Sequence, residues 1–443
     1  MTNTSTRETQ LDDLAASHFK PNEPGAAVIV MRDGIPLLRA GYGMANIELG
    51  VPIQPDMVFR LGSITKQFTA VAILMLAERG QLSLQDPIER FVADYPTHGH
   101  KITIEHLLTH TAGIKSYTAM PEFWVDIKED KSVLEHIGFF KNQPMAFAPG
   151  ERWDYNNSGY FLLGAIIENV SGHSYEEFLK QNIFERLGMP HIYYDLPAKI
   201  IPGRVTGYGK GANGIENAAY ISMTRPYAAG SLASSVDDLA KWDAALYTND
   251  LVDQSALKRA WTPYTLNNGM HNRYGYGWSV FDYQGHACIE HGGGIHGFTT
   301  YALRIPERRV YVAVLMNASP PVISPMVLGF KLATLAIDKP LLEPATVSLK
   351  EVQLIPFVGR YDVNRAVVYT LFITYQSGQL FVQFSEEAPT QKLFALSPTE
   401  FWMKDSLVQL RFVMDGSNQA HTVQVWDRGV LADEGIRTSL TQF

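Results

Sequence analysis

Two stretches of strand-forming sequence, residues 28–40 and 278–316, bracket a long segment in which apolar residues recur at helical spacing. That placement restricts the fold more than any other feature of the chain. Val28-Ile29-Val30-Met31 and Leu37-Leu38-Arg39-Ala40 flank Asp33-Gly34, a pair suited to the positive φ angles of a tight hairpin turn. Trp278 to Phe281, Ala287 to His291, Phe298 to Arg304 and Val310 to Met316 are strand-like and separated by turn formers. Strands from both ends with helices between them predict an α+β fold, in which one antiparallel sheet is flanked by helices and carries a largely helical insertion.

The helical segment opens with its most informative residues. From Ile64 to Arg79, the apolar residues Phe68, Val71, Ala72, Leu74, Met75 and Leu76 follow helical spacing, and Gly80 suits a left-handed close. Ser63 and Lys66 stand at its start, three residues apart and therefore on one face. A serine hydroxyl becomes a nucleophile when a neighbouring base takes its proton, and a lysine is such a base only when its ammonium form is disfavoured. The positive end of the helix dipole and burial both disfavour that form. The bland alternative is a capping serine followed by a solvated lysine.

Two further motifs weigh against the bland alternative. Tyr155 and Asn157 precede Ser158, the expected start of a second helix, which places both on a loop. A tyrosine beside a cationic lysine loses its proton more easily and can shuttle it between nucleophile and leaving group. Asn157 offers an acceptor to Lys66 and a donor to a substrate carbonyl. The third motif, His291-Gly292-Gly293-Gly294-Ile295-His296-Gly297, is expected directly after a strand. Its glycines let a substrate lie against the strand edge and leave a backbone N–H to face a developing oxyanion.

Gly292, Gly294 and Gly297 match the spacing of a dinucleotide fingerprint, but strand rather than helix follows, so no helix N-terminus awaits a pyrophosphate. No G-x-S-x-G elbow accompanies the His-Gly-Gly-Gly run, which sets aside a lipase-type oxyanion loop. His110, Tyr117 and His296 are candidates for the lining of the substrate cleft, but nothing in their spacing places them there, so each is expected to be a packing residue. Glu105 and His106 lack metal-ligand spacing to any partner, so neither a metal nor a cofactor is expected.

Taken in order, Ser63-Ile64-Thr65-Lys66, Tyr155-Asn156-Asn157 and His291-Gly292-Gly293 resemble the motifs of the serine β-lactamase and penicillin-binding-protein superfamily. The chain is most similar to its class C β-lactamase-like branch of esterases, D-aminopeptidases and D,D-peptidases. Leu107-Leu108-Thr109-His110-Thr111-Ala112-Gly113, Pro149-Gly150-Glu151, Leu187-Gly188-Met189, Ala229-Gly230-Ser231-Leu232 and Tyr274-Gly275-Tyr276-Gly277-Trp278 resemble further landmarks of that branch, extending the likeness over residues 20–337.

The resemblance implies that Ser63 is acylated, Lys66 takes its proton, Tyr155 completes the relay and Asn157 orients both Lys66 and the substrate amide. It also implies an oxyanion hole made by the backbone N–H groups of Ser63 and Gly294, with Gly293 beside them on the substrate-binding edge. His291 departs from the pattern, since β-lactamases and many peptidases carry lysine there. A lysine presents a fixed positive charge to a substrate carboxylate, whereas a histidine near pH 7 is mostly neutral. Esters and amides without an obligatory carboxylate are therefore favoured, and His291 becomes a further candidate for proton transfer. The implied activity is that of a serine hydrolase acting through a covalent acyl-enzyme on small esters, or on amides and peptides that include D-residues. A penicillin-binding protein or weak β-lactamase remains an alternative, as does a non-catalytic binding or assembly protein on the same fold.

With 443 residues, 46% of them hydrophobic, the chain has enough apolar material for more than one domain. Two prolines in Asp338-Lys339-Pro340-Leu341-Leu342-Glu343-Pro344 break the last helical pattern and place a boundary between a hydrolase domain, 1–340, and a second domain, 345–443. Short strands at Tyr369 to Tyr375, Leu380 to Phe384, Val408 to Val413 and His421 to Trp426 predict a small antiparallel β-barrel or sandwich. That segment resembles the lipocalin-like domain of some members. Its candidate roles are binding an apolar ligand, covering the active-site mouth, or joining copies of the chain into a homo-oligomer. Lys+Arg of 37 against Asp+Glu of 45, with no dense basic run, argues against nucleic acid and for a small-molecule partner. Cys288 is the sole cysteine and forms no intrachain disulfide. A polar N-terminus and the lack of a long apolar run lead to the expectation of a cytoplasmic protein with no membrane span.

Overall fold

The computed structural model describes residues 4–341, 344–363, 369–386 and 388–439. The chain divides into two units, Met1–Leu341 and Leu342–Phe443. In the first, β1 (Ala26–Arg32), β2 (Ile35–Tyr42), β3 (Ser279–Tyr283), β4 (His286–Ile295), β5 (Phe298–Ile305) and β6 (Val310–Met316) form one antiparallel sheet in the order β3-β4-β5-β6-β1-β2. The N-terminal hairpin thus docks on the last strand of the sheet, with Val28 opposite Val314. The principal helices are α1 (Thr4–Ala16), α2 (Thr65–Glu78), α3 (Asn157–Ser171), α4 (Val236–Ala245) and α5 (Pro325–Ala336).

Alternation along the strands sorts the two faces of the sheet. Tyr311, Ala313 and Leu315 of β6 join Ala27 and Ile29 of β1 in the main core, against the helical insertion. The opposite face packs on α5, where Gly329 lies against Tyr301 and Val314. Residues Thr65 to Leu76 of α2 are all buried, so this helix runs through the core instead of presenting one face to it.

Two local expectations are corrected. Helix α3 starts at Asn157, not Ser158, because the Oδ1 of Asn156 accepts the Gly159 N–H at 2.9 Å and caps the helix earlier. The Ser158 hydroxyl is drawn to a distant loop, donating to the Lys115 carbonyl and accepting the Tyr117 N–H. The glycine run lies inside β4 and does not follow it. Strand β3 ends where Ser279 pairs with Glu290, so residues 291–295 of β4 have one edge beyond the reach of β3.

The second unit is a closed eight-stranded antiparallel barrel, which decides between barrel and sandwich. Gly359–Val363 pairs with Tyr369–Gln376 on one side and with Val430–Ser439 on the other, closing the ring. The strands Gly359–Val363, Gln391–Ala395, Glu400–Met403 and Val430–Ser439 were not foreseen, since three of them are very short and the last is interrupted by charged residues. Inward side chains such as Tyr361, Leu371, Leu380, Leu393 and Leu410 fill the barrel, as expected at this strand number. Among the described residues no helix is long and apolar enough to cross a membrane.

Candidate active site

Ser63 lies in a short 3-10 turn, Gly62–Ile64, that leads into α2, and neither helix start is capped by a side-chain hydrogen bond. Its hydroxyl is thus not used as a cap. Lys66, one turn further, is fully buried. The Lys66 Nζ lies 3.1 Å from Ser63 Oγ, 2.8 Å from Asn157 Oδ1 and 2.8 Å from the Ala229 carbonyl oxygen. An ammonium has three donors, whereas a neutral amine has two donors and one lone pair. In the neutral amine, the Asn157 amide oxygen and the Ala229 carbonyl oxygen can take the two N–H groups, which leaves the lone pair for the Ser63 hydroxyl. Burial holds the lysine well below its ordinary value, with no carboxylate among the hydrogen-bond partners to restore the charge.

The helix cap that sets the start of α3 also sets Tyr155 and Asn157. Asn157 Nδ2 donates to Thr118 Oγ1 at 3.1 Å, which fixes its oxygen toward Lys66. The Tyr155 hydroxyl faces the Ser63 side chain, and Lys66 Nζ lies 4.8 Å from the Tyr155 ring centre. Burial pushes Tyr155 up from its ordinary value. The expectation that a cationic lysine would ease its ionisation is therefore corrected: beside a neutral lysine in a buried site the phenol keeps its proton.

His291 is brought to the same site but is held by other groups. Its Nδ1 donates to the Gly292 carbonyl at 2.6 Å, and its Nε2 is 2.7 Å from the Tyr274 hydroxyl. Burial pushes it down to about 3. The imidazole is therefore neutral, with Nε2 free to accept from Tyr274. His110 is packed among the rings of Tyr155, Tyr160 and Tyr274, and its Nδ1 accepts the Asn156 N–H at 3.0 Å. It fixes the residue between Tyr155 and Asn157.

Glycines bring the serine turn onto the edge of β4. A Cβ on Gly293 would fall 2.0 Å from the Leu61 carbonyl oxygen, and one on Gly62, where φ is +54°, would fall 2.9 Å from the Gly294 nitrogen. A Cβ on Gly294 would meet nothing within 4 Å. Ile295 and Phe298 pair across a two-residue turn, so the ladder alternation directs the Gly294 N–H away from β5. It points past the end of β3, toward the Ser63 turn, whose first N–H groups have no partner within the turn.

Thr118, Tyr160, Ala229 and Tyr274 were not singled out as site residues. Ala229 and Tyr274 lie in the segments Ala229-Gly230-Ser231-Leu232 and Tyr274-Gly275-Tyr276-Gly277-Trp278, which carried a family likeness without an assigned role. Nothing in the sequence marks Thr118 or Tyr160.

The Beta-lactamase family profile matches residues 10–327. A penicillin-binding protein of Bacillus subtilis (strain 168) is 26% identical over 437 residues, 93% of this chain and 94% of its own. A D-aminopeptidase of Gluconobacter oxydans (strain 621H) is 27% identical over 304 residues, 66% of this chain and 56% of its own. Among solved structures, the octameric penicillin-binding protein homologue from Pyrococcus abyssi matches with a TM-score of 0.68 and 27% identity, over 98% of this chain and 100% of its own. With a family profile spanning most of the first unit and a buried lysine beside a serine at the head of α2, this chain is a member of the Beta-lactamase family of serine hydrolases.

Proposed function

We propose that the protein hydrolyses esters and amides, including those of D-residues, through an acyl-enzyme on Ser63. The observation that carries this reading is the Lys66 amine, 3.1 Å from Ser63 Oγ, with acceptor-only groups at its two other contacts. Lys66 takes the Ser63 proton as Oγ attacks the substrate carbonyl carbon. The carbonyl oxygen, now negative, is met by the N–H groups of Ser63 and Gly294, a pair whose loss typically costs about 10²–10³ in rate per donor. Tyr155, kept protonated by burial, gives its proton to the leaving nitrogen or oxygen as the C–N or C–O bond breaks, and recovers one from the ammonium formed on Lys66. Water then attacks the ester carbonyl, losing a proton to the same groups; the acyl C–Oγ bond breaks, the carboxylic acid leaves, and the proton returns to Ser63 Oγ.

A neutral His291 offers no fixed charge to a substrate carboxylate, which supports esters, amides and aminoacyl substrates over β-lactams. The D-aminopeptidase relative supports the D-residue amides. The end-to-end likeness to an octameric protein supports self-association of this chain, measurable by light scattering, and residues 345–443 are proposed as a separate domain that contributes to it.

Intact-protein mass spectrometry tests the reading, after incubation of wild type and Ser63→Ala with a fluorophosphonate, p-nitrophenyl acetate and a penicillin. The expected result is an adduct on wild type that the variant lacks, short-lived with the acetate. A long-lived penicillin adduct favours the penicillin-binding alternative. No adduct on folded wild type with any reagent overturns catalysis in favour of a binding or assembly role.

A further inference from the structure

A closed chain of contacts begins and ends at the serine turn. From Ser63 it passes to Lys66 and Asn157, then to Thr118 through the Asn157 amide. The Thr118 carbonyl accepts the indole N–H of Trp124 at 3.1 Å. The Trp124 ring stacks on His296, with centroids 6.3 Å apart and planes at 21°. His296 stands in the turn directly after Gly294 and Ile295, and Gly294 closes the loop against Gly62, next to Ser63. Two elements far apart in sequence, the short helix Pro121–Val125 and the β4–β5 turn, thus meet ring to ring.

The two ends of the cleft are chemically distinct. Tyr155, the donor to the leaving group, lies toward His291, with ring centroids 6.2 Å apart. The leaving group therefore departs at the His291 end of the β4 edge. The acyl part, fixed by its carbonyl between Ser63 and Gly294, extends the other way along β4, toward the Trp124–His296 pair.

We infer that Trp124 and His296 form the end wall of the acyl pocket and restrict the enzyme to short acyl groups, such as a single aminoacyl residue or a small carboxylic ester. The inference rests on the acyl-enzyme reading above. His296 is anchored from behind, its Nδ1 donating to the Ala219 carbonyl at 3.2 Å. Trp124 is 52% exposed and held by a single hydrogen bond in a five-residue helix, which makes it the half whose removal opens the pocket without disturbing the core. The aromatic face of the wall suits an apolar acyl side chain.

The test is the ratio of kcat/KM for p-nitrophenyl octanoate to that for p-nitrophenyl acetate, with D-alanyl-D-alanine p-nitroanilide against D-alanine p-nitroanilide as the peptide counterpart. Trp124→Ala is expected to raise both ratios by roughly tenfold or more, the scale of a few methylenes admitted to an apolar pocket. His296→Ala should act in the same direction, and Trp124→Phe should retain most of the wild-type selectivity. Ratios unchanged in Trp124→Ala and His296→Ala, with turnover intact, overturn the end wall while leaving the hydrolase reading standing. Wild type that turns over none of the four substrates overturns the hydrolase reading itself.

Discussion

Lys66 Nζ and Asn157 Oδ1 lie 2.8 Å apart, so the buried lysine is paired with an amide where a carboxylate would have restored its charge. Asn157→Asp would place an anion at that distance. An anion favours the ammonium and raises the lysine pKa, which removes the base at neutral pH. The rate at pH 7 is expected to fall by about 10²–10⁴. In wild type the depressed lysine sets the acid limb, with activity falling as pH drops and Lys66 gains its proton. In Asn157→Asp that limb should move to higher pH, as followed by the pH profile of p-nitrophenyl acetate hydrolysis.

Tyr155 is held protonated by burial beside Ser63, and the proposed mechanism has it serve the leaving group. A p-nitrophenolate departs without help, whereas an amide nitrogen does not. Tyr155→Phe should therefore lower kcat for a D-aminoacyl amide by about 10²–10⁴ and affect a p-nitrophenyl ester far less. Equal losses on both substrates would show that the phenol acts on the nucleophile instead.

The neighbouring glycines 293 and 294 are not equivalent. A Cβ at Gly293 meets the Leu61 carbonyl at 2.0 Å, while a Cβ at Gly294 enters open space. Gly293→Ala should cost about 1–3 kcal/mol of stability and displace the serine turn. Gly294→Ala should melt within a degree or two of wild type and keep its backbone N–H. Thermal unfolding and ester turnover of the two variants give the comparison.

His136 is buried against the rings of Tyr117 and Phe161, and among the described residues neither of its nitrogens has a hydrogen-bond partner. Burial, with Arg225 nearby, pushes it down to about 3. The unfolded chain binds more protons than the native state between pH 6.5 and that value, so stability is fully present above 6.5 and lost as pH falls through the window. At pH 5 one such group accounts for about 2 kcal/mol. His136→Phe should lose less stability than wild type on going from pH 7 to pH 5, as read from unfolding midpoints at the two values.

What the sequence by itself determined is what short spacing decides. Ser63 and Lys66 meet because i and i+3 share a helix face, the Asp33-Gly34 hairpin forms where its turn residues stand, and strand alternation marks both the sheet and the barrel. The cap at Asn156 was missed by two residues, because two neighbouring polar residues compete for one helix start and a distant loop, Lys115 to Tyr117, claims the hydroxyl of Ser158. The protonation states were decided only by tertiary structure, since desolvation depends on everything packed around a group and not on its neighbours in sequence. That is why Tyr155 turned out a held phenol and His291 a neutral imidazole between Tyr274 and Gly292. The third partner of Lys66 at Ala229, the Thr118 clamp on Asn157 and the ring pair of Trp124 and His296 likewise arise where remote segments fold together, at separations no periodic pattern can encode.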